Sequence, residues 1–336
     1  MPSPSPSPSS TVVVTGASAG LGEVAAGALA AAGLHVVLAC RSVERGEATA
    51  QRIRAVTPDA ALEVLEIDMA DLESVRTAVK SLLSDAADRP PLRGLVCNAG
   101  IQVVNGVRRS ADGYELTFAT NHLGHFLLVD LLLDHIEEPG RVVLVSSEVH
   151  QGPSKSMGFP APRWEHPQAL AHPERSALDE SPRAGRVRYA TSKLANLYMT
   201  YELSRRLSER GSGVTVNAFD PGLMPQTGLD RDWPRAIQRI YHATAPLLVR
   251  VLPGARSVTR SGTDLAWMVT APELAEVSGA YYSGRRRRES SRLSHDDRLA
   301  RELWDESRQL VAADSQNAAA DENAADGQKT DSGGTE

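Results

Sequence analysis

The chain has 336 residues, enough for one large α/β unit or two smaller domains, and its 41% hydrophobic and 23% charged residues exclude a wholly disordered or fibrous protein. Two cysteines, Cys40 and Cys97, share no metal-ligand spacing, which excludes a disulfide framework, and both are expected to be reduced and buried. Of the net charge of −6, residues 313 to 336 carry −5, six acids against Lys329, so the body is near neutral and lacks the basic field that nucleic-acid binding requires.

The first ten residues, MPSPSPSPSS, have neither the cationic nor the apolar region of a signal peptide, and no stretch approaches about 18 consecutive apolar residues. A soluble, cytoplasmic protein without an integral membrane segment is therefore expected. Residues 1–10 and the acidic tail 313–336 are poor in large apolar side chains and are expected to be disordered, which leaves a single domain over 11–312.

Within that domain, short β-branched runs alternate with helical patterns: Val12 to Val14, Val36 to Ala39, Leu62 to Ile67, Leu95 to Cys97 and Val142 to Val145. Continuous apolar strands without a polar face suit a parallel sheet covered on both sides, so the fold class is α/β, a Rossmann-like doubly wound sheet. Gly213 to Phe219 and Gly279 to Ser283 bring the strand count to about seven. Residues 149–187 contain six prolines and little periodicity, and read as a long insert near the site. Trp233 to Leu252 has helical spacing with an apolar face, broken by Pro246, and Arg298 to Val311 reads as a final amphipathic helix. The run Arg285 to Arg288 reads as a solvated loop, with binding of a phosphate or an acidic surface as the alternative.

The first strand leads into TGASAGLG, with Gly16, Gly20, Leu21 and Gly22 opening a helix. Glycines there allow a tight turn and close approach of a pyrophosphate, and the helix N-terminus offers free N–H donors. Arg41, after the second strand, suits a ribose 2′-phosphate, with Ser18 as a second donor, and points to NADP rather than NAD; the alternative is a solvated loop arginine. Asp68 stands where a carboxylate could accept from an adenine amino group, or could cap the helix that begins near Asp71. Asn98, Ala99 and Gly100 are small residues where backbone passes close to a ligand.

Tyr189 and Lys193 are four apart, so a helix projects both from one face, where the ammonium would stabilise a tyrosinate and make the phenol a general acid. Ser147, at a strand end, could hold a substrate oxygen, and Asn121 could anchor a water that relays protons to the lysine. Alone, a Tyr and a Lys four apart are commonly just an exposed pair.

In combination, TGxxxGxG, Asn98-Ala99-Gly100, Asn121, Ser147 and the Tyr189/Lys193 pair occur in the order of the short-chain dehydrogenase/reductase family, which the chain resembles from about residue 11 to 311. The resemblance implies a catalytic tetrad of Asn121, Ser147, Tyr189 and Lys193, with Lys193 also holding the nicotinamide ribose. It implies that Pro221-Gly222 and a following threonine, Thr227, contact the nicotinamide. Segments such as Ala39 to Ser42, Asn121 to Phe126 and Ser192 to Asn196 resemble the branch of retinol dehydrogenases, WW-domain oxidoreductases and light-dependent protochlorophyllide reductases. Members that reduce protochlorophyllide have cysteines where this chain has Ala195 and Leu223. The family's substrate lid falls on 228–260, here apolar, implying an apolar small-molecule substrate, and His150, Leu223 and Met224 are assigned to its pocket. His122 and His125 belong to a helix motif that is structural in similar proteins, and no metal is expected. Similar enzymes pair through helices into dimers or tetramers.

The expectation is an NADP(H)-dependent oxidoreductase acting on a carbonyl or alcohol, with Tyr189 as proton donor or acceptor. Reduction of an activated C=C bond is the alternative, and a non-catalytic NADP-binding sensor or scaffold is the alternative of another class.

Overall fold

The computed structural model describes residues 10–156, 158–173, 180–224 and 255–330. One sheet organises them, with strands β1 (Thr11–Thr15), β2 (His35–Cys40), β3 (Leu62–Glu66), β4 (Leu92–Cys97), β5 (Gly140–Val145), β6 (Val214–Asp220), β7 (Ala280–Ser283) and β8 (Arg286–Arg288). Their order across the sheet is β3-β2-β1-β4-β5-β6-β7-β8, parallel except for β8, which runs antiparallel to β7.

The strands are apolar throughout because both faces are covered. Val12 and Val14 join one cluster with Val36, Leu38, Val96 and Val143, under helices α1 (Gly20–Ala31), α2 (Val43–Val56) and α8 (Val258–Thr270). Val13 joins the opposite cluster with Val37, Leu95, Val142 and Val216. That face is covered by α3 (Leu72–Ser84), by the helical run formed from α4 (Leu116–Phe118), a π turn (Ala119–Leu123) and α5 (Gly124–Leu132), and by α7 (Pro182–Glu209) and α9 (Asp297–Thr330). Successive strand residues therefore enter opposite cores, as the two-residue repeat requires. Burying each of the larger aliphatic side chains contributes about 1.5–3 kcal/mol. The run Leu116–His135 is apolar and long enough to cross a bilayer, but 78% of its most apolar window is buried inside the protein, so it is accounted for as a core helix. Cys40 and Cys97 are both free and buried.

Three expectations are revised. The arginine run is not a loop: Arg286–Arg288 pair with Tyr281–Ser283 as an eighth, edge strand. Arginines carry no apolar alternation, so pairing there is decided by β7 alone, while the side chains remain exposed and their charge discourages further strand addition. The 149–187 segment is partly ordered into short helices, a 3-10 turn (Glu148–Gln151) and α6 (Pro167–Ala171), and α7 begins at Pro182, well before Tyr189. Ser181 caps it, accepting from Ala184 N (3.1 Å), with proline at the first helical position. The last helix, expected over Arg298 to Val311, runs from Asp297 to Thr330. Its continuation beyond Val311 is alanine-rich, and a helix already docked through Ala300, Leu303, Trp304, Leu310 and Val311 extends without a new nucleation step.

The sheet order reverses between β1 and β4, where connections leave to opposite sides and open a crevice at the carboxyl ends of the strands.

Candidate active site

The turn after β1 borders this crevice. Gly16 has φ +67° and Gly20 φ +59°, and a Cβ on Gly22 would lie 2.5 Å from Gly16 O and 2.6 Å from Asn98 Nδ2, so no larger residue fits. Asn98 braces the turn, its Nδ2 donating to Thr15 O (2.8 Å). Thr15 Oγ1 accepts from the amides of Asn98 and Ala99 (both 2.9 Å), which locks Asn98-Ala99-Gly100 to the glycine turn. No side chain caps α1, whose preceding residue is Ala19; its first N–H groups remain available to an anion, while Leu21 is buried beneath them. These features fit the pyrophosphate of a dinucleotide.

Arg41 is largely exposed and stands 3.8 Å from Asp68. Asp68 Oδ1 accepts from Ala70 N (3.0 Å), whereas the α3 cap is Asp71, which accepts from Glu73 N and Ser74 N. Asp68 thus shapes the loop with one oxygen and faces Arg41 with the other. Ser18 is half-buried, and its carbonyl accepts from Thr49 Oγ1 (3.3 Å).

At the next strand ends, Lys193 Nζ donates to Val145 O (3.1 Å), the last carbonyl of β5, and lies 5.5 Å from the centroid of the Tyr189 ring. Burial lowers the lysine to about 8, against the charge of Asp220, which raises it. Burial, followed by Asp220, pushes the Tyr189 phenol up, so desolvation opposes the effect expected of the ammonium. Ser147 lies two residues beyond the end of β5, half-buried, as the cap of the 3-10 turn. Gly100 joins the group: a Cβ there would be 3.2 Å from Asn121 Oδ1 and 3.5 Å from Lys193 Nζ.

Asn121 sits in the π turn, a helix irregularity frequent at functional sites. Its side chain is a brace: Oδ1 accepts from Ile101 N (2.8 Å), and Nδ2 donates to Ile101 O and Ser192 Oγ (both 2.9 Å). Both donors are committed, which leaves one lone pair of Oδ1, rather than the whole amide, for the expected water. The segment before α7 lies over the site, with Phe159 6.1 Å from the Tyr189 ring, Arg163 N donating to Thr191 Oγ1 (3.0 Å), and Trp164 edge-on to Tyr198.

His150 does not line a pocket. It is buried, donates from Nδ1 to Ser147 O (2.5 Å), accepts at Nε2 from Ser291 N (3.1 Å) and packs edge-on against Tyr281. A carbonyl only accepts and an amide only donates, so these partners require the neutral ring, and burial holds it down at about 4. His122 and His125 are fully buried, as a structural helix motif requires: His122 Nε2 meets Ser307 Oγ (2.9 Å) and His125 Nε2 meets Thr15 Oγ1 (2.9 Å). Among the described residues no three His, Cys, Asp or Glu side chains are grouped to hold a metal.

Pro221 is buried, its carbonyl accepting from Ser261 Oγ (2.6 Å), and Gly222 has φ +76°. Leu223 O accepts from Arg256 N (2.9 Å), and Met224 packs against the α1 and α8 core. Thr227 and the segment 228–254 lie outside the described residues. Thr15, Ser192 and Asp220 were not singled out from the sequence. Asp220 stands directly before Pro221-Gly222, the signal by which it could have been found.

A short chain dehydrogenase family model matches residues 10–159. The chain is 34% identical to human retinol dehydrogenase 13 over 92% of its own length and 87% of the relative's. It is 33% identical to polyprenol dehydrogenase from Danio rerio, covering 89% and 85%. Among solved structures it resembles an uncharacterized protein from Mycobacterium Paratuberculosis with a TM-score of 0.63 and 31% identity, covering 91% and 95%. The chain belongs to the short-chain dehydrogenase/reductase family, a family of nicotinamide-dependent oxidoreductases, and is similar to its retinol dehydrogenase-like branch.

Proposed function

We propose that residues 11–312 form one catalytic domain that interconverts a carbonyl and an alcohol on an apolar small molecule with NADP(H). The observation that carries this reading is the convergence of Tyr189, Lys193 and the Asn121 brace beside Gly100, with Ser147 two residues beyond the β5 carbonyl that holds the lysine. Exposed Arg41 just after β2, a residue type suited to a 2′-phosphate, supports NADP over NAD. Two relatives are named for retinol and polyprenol, both apolar isoprenoid alcohols, which supports the substrate class.

A bound nicotinamide supplies hydride to the substrate carbon, or takes it. Tyr189 Oη donates a proton to the carbonyl oxygen in reduction and accepts the hydroxyl proton in oxidation, while Ser147 Oγ holds the same oxygen by hydrogen bond. Lys193, kept in place by Val145 O, stabilises the tyrosinate left behind. Asn121 keeps the 101 loop against α7, so that Gly100 stays close to the lysine. The apolar cover over Tyr189, including Phe159, excludes water from the step.

The test is titration of purified protein with NADPH and NADH, then a panel of apolar aldehydes and ketones followed by nicotinamide absorbance. Tyr189→Phe should keep its NADPH affinity and lose roughly 10²–10⁴-fold in kcat. Survival of turnover in that variant would overturn the proton-donor assignment, and NADPH binding without any turnover in the parent would favour the sensor reading.

A further inference from the structure

Asp220 ends β6 with no exposed surface, and a carboxylate is rarely buried so completely unless it is paired. Its partners come from three segments. Oδ1 accepts from the amides of Gly222 (3.1 Å) and Glu148 (3.3 Å), and Oδ2 accepts from Ser283 Oγ (2.8 Å) on β7. Ser283 Oγ in turn accepts from Arg256 Nη2 (3.3 Å), just ahead of α8. Glu148 follows Ser147 directly and Gly222 belongs to the turn after β6, so one carboxylate ties the serine turn to the Pro221-Gly222 turn and to the neighbouring strand.

The groups facing it define its electrostatic reach. Burial pushes Asp220 up, and burial followed by the charge of Asp220 does the same to half-buried Glu148, while Arg256 opposes the rise in both acids. Tyr281 faces them from β7. From α7, Tyr189 and Lys193 both feel the charge of Asp220, which raises the proton affinity of each. His125, facing Lys193 from the helical run, is held neutral by burial. Asparagine has nearly the same shape and could keep the two backbone hydrogen bonds; only a carboxylate also brings negative charge to Tyr189 and Lys193.

We propose that Asp220 is a positioning residue for the reaction, its carboxylate fixing the Ser147 turn against the Pro221-Gly222 turn and against β7. This role rests on the oxidoreductase reading above. Oxidation requires an ionised tyrosine and a charged lysine, so its pH profile is a bell whose two limbs report those groups. Removing the negative charge lets both groups lose their protons at lower pH.

The test is the pH profile of kcat/KM for alcohol oxidation in the parent, Asp220→Asn and Asp220→Glu. In Asp220→Asn the whole bell should move to lower pH by roughly one unit, with NADPH affinity kept within a few-fold, and Asp220→Glu should return it toward the parent. A bell in Asp220→Asn superimposable on the parent's, with kcat/KM undiminished, would overturn the proposal. Should Asp220→Asn fail to fold, Ser283→Ala decides. It removes the donor to Oδ2 and with it the tie to β7, so kcat/KM for alcohol oxidation should fall while NADPH affinity stays within a few-fold; an unchanged kcat/KM would overturn the proposal equally. Failure of the underlying reading shows differently, as a parent that turns over no substrate or a Tyr189→Phe variant that remains active.

Discussion

Lowering the pH from 7.5 to 5 should weaken the fold through three buried histidines. His122 is held at about 3, and His125 and His150 at about 4, chiefly because burial disfavours the charged ring. An unfolded histidine titrates near 6.5, so between that pH and the folded values the unfolded chain binds more protons and stability falls as pH falls. The stabilising contribution of each ring is fully present above pH 6.5, and about 2 kcal/mol of it is gone at pH 5, or about 6 kcal/mol for the three. That is comparable with the whole stability of a marginal domain, about 5–15 kcal/mol. Glu115 and Asp220, pushed up by burial, act in the opposite sense, so the parent's slope alone does not isolate the histidines. His150→Asn does, because an amide nitrogen in the place of Nδ1 can still donate to Ser147 O without titrating. Urea unfolding at pH 7.5 and pH 5 should show the variant losing about 2 kcal/mol less than the parent over this interval. Equal losses in the two proteins would refute the assignment of His150 as a neutral strut.

Gly22→Ala places a methyl group 2.5 Å from Gly16 O, and the resulting overpacking of about 1–3 kcal/mol should weaken NADPH binding by about tenfold or more in a fluorescence titration. Unchanged affinity would show that the phosphates lie elsewhere. Arg41→Ala should lower the preference for NADPH over NADH by about tenfold or more, as loss of a charge-assisted contact of about 1.5–3 kcal/mol implies, while NADH binding stays constant. Equal weakening of both cofactors would assign Arg41 to loop structure instead.

Seven strands and their parallel arrangement were legible because continuous apolar runs are the signature of a sheet covered on both faces, and the glycine turn because its residue types follow from backbone geometry. The four positions proposed as the tetrad stand out only as a combination, since none of the spacings is specific alone. What escaped was everything decided by a neighbour distant in sequence. Arg286–Arg288 form a strand because β7 offers them an edge. His150 lies three residues after Ser147 and was therefore placed at the pocket, yet Ser291 and Tyr281, far along the chain, bury it as a strut.

The sequence by itself determined the doubly wound class, the cradle for a dinucleotide and the Tyr189–Lys193 helix face, because these depend on periodicity, glycine geometry and four-residue spacing. Only the tertiary structure decided how those groups work. Val145 O holds the lysine, Ile101 and Ser192 occupy the amide of Asn121, and Asp220 lies buried among three turns and strands. Desolvation and Coulomb interactions follow distance through space rather than along the chain, so the protonation of Tyr189 and Lys193 is a property of the assembled strand ends and not of the motif.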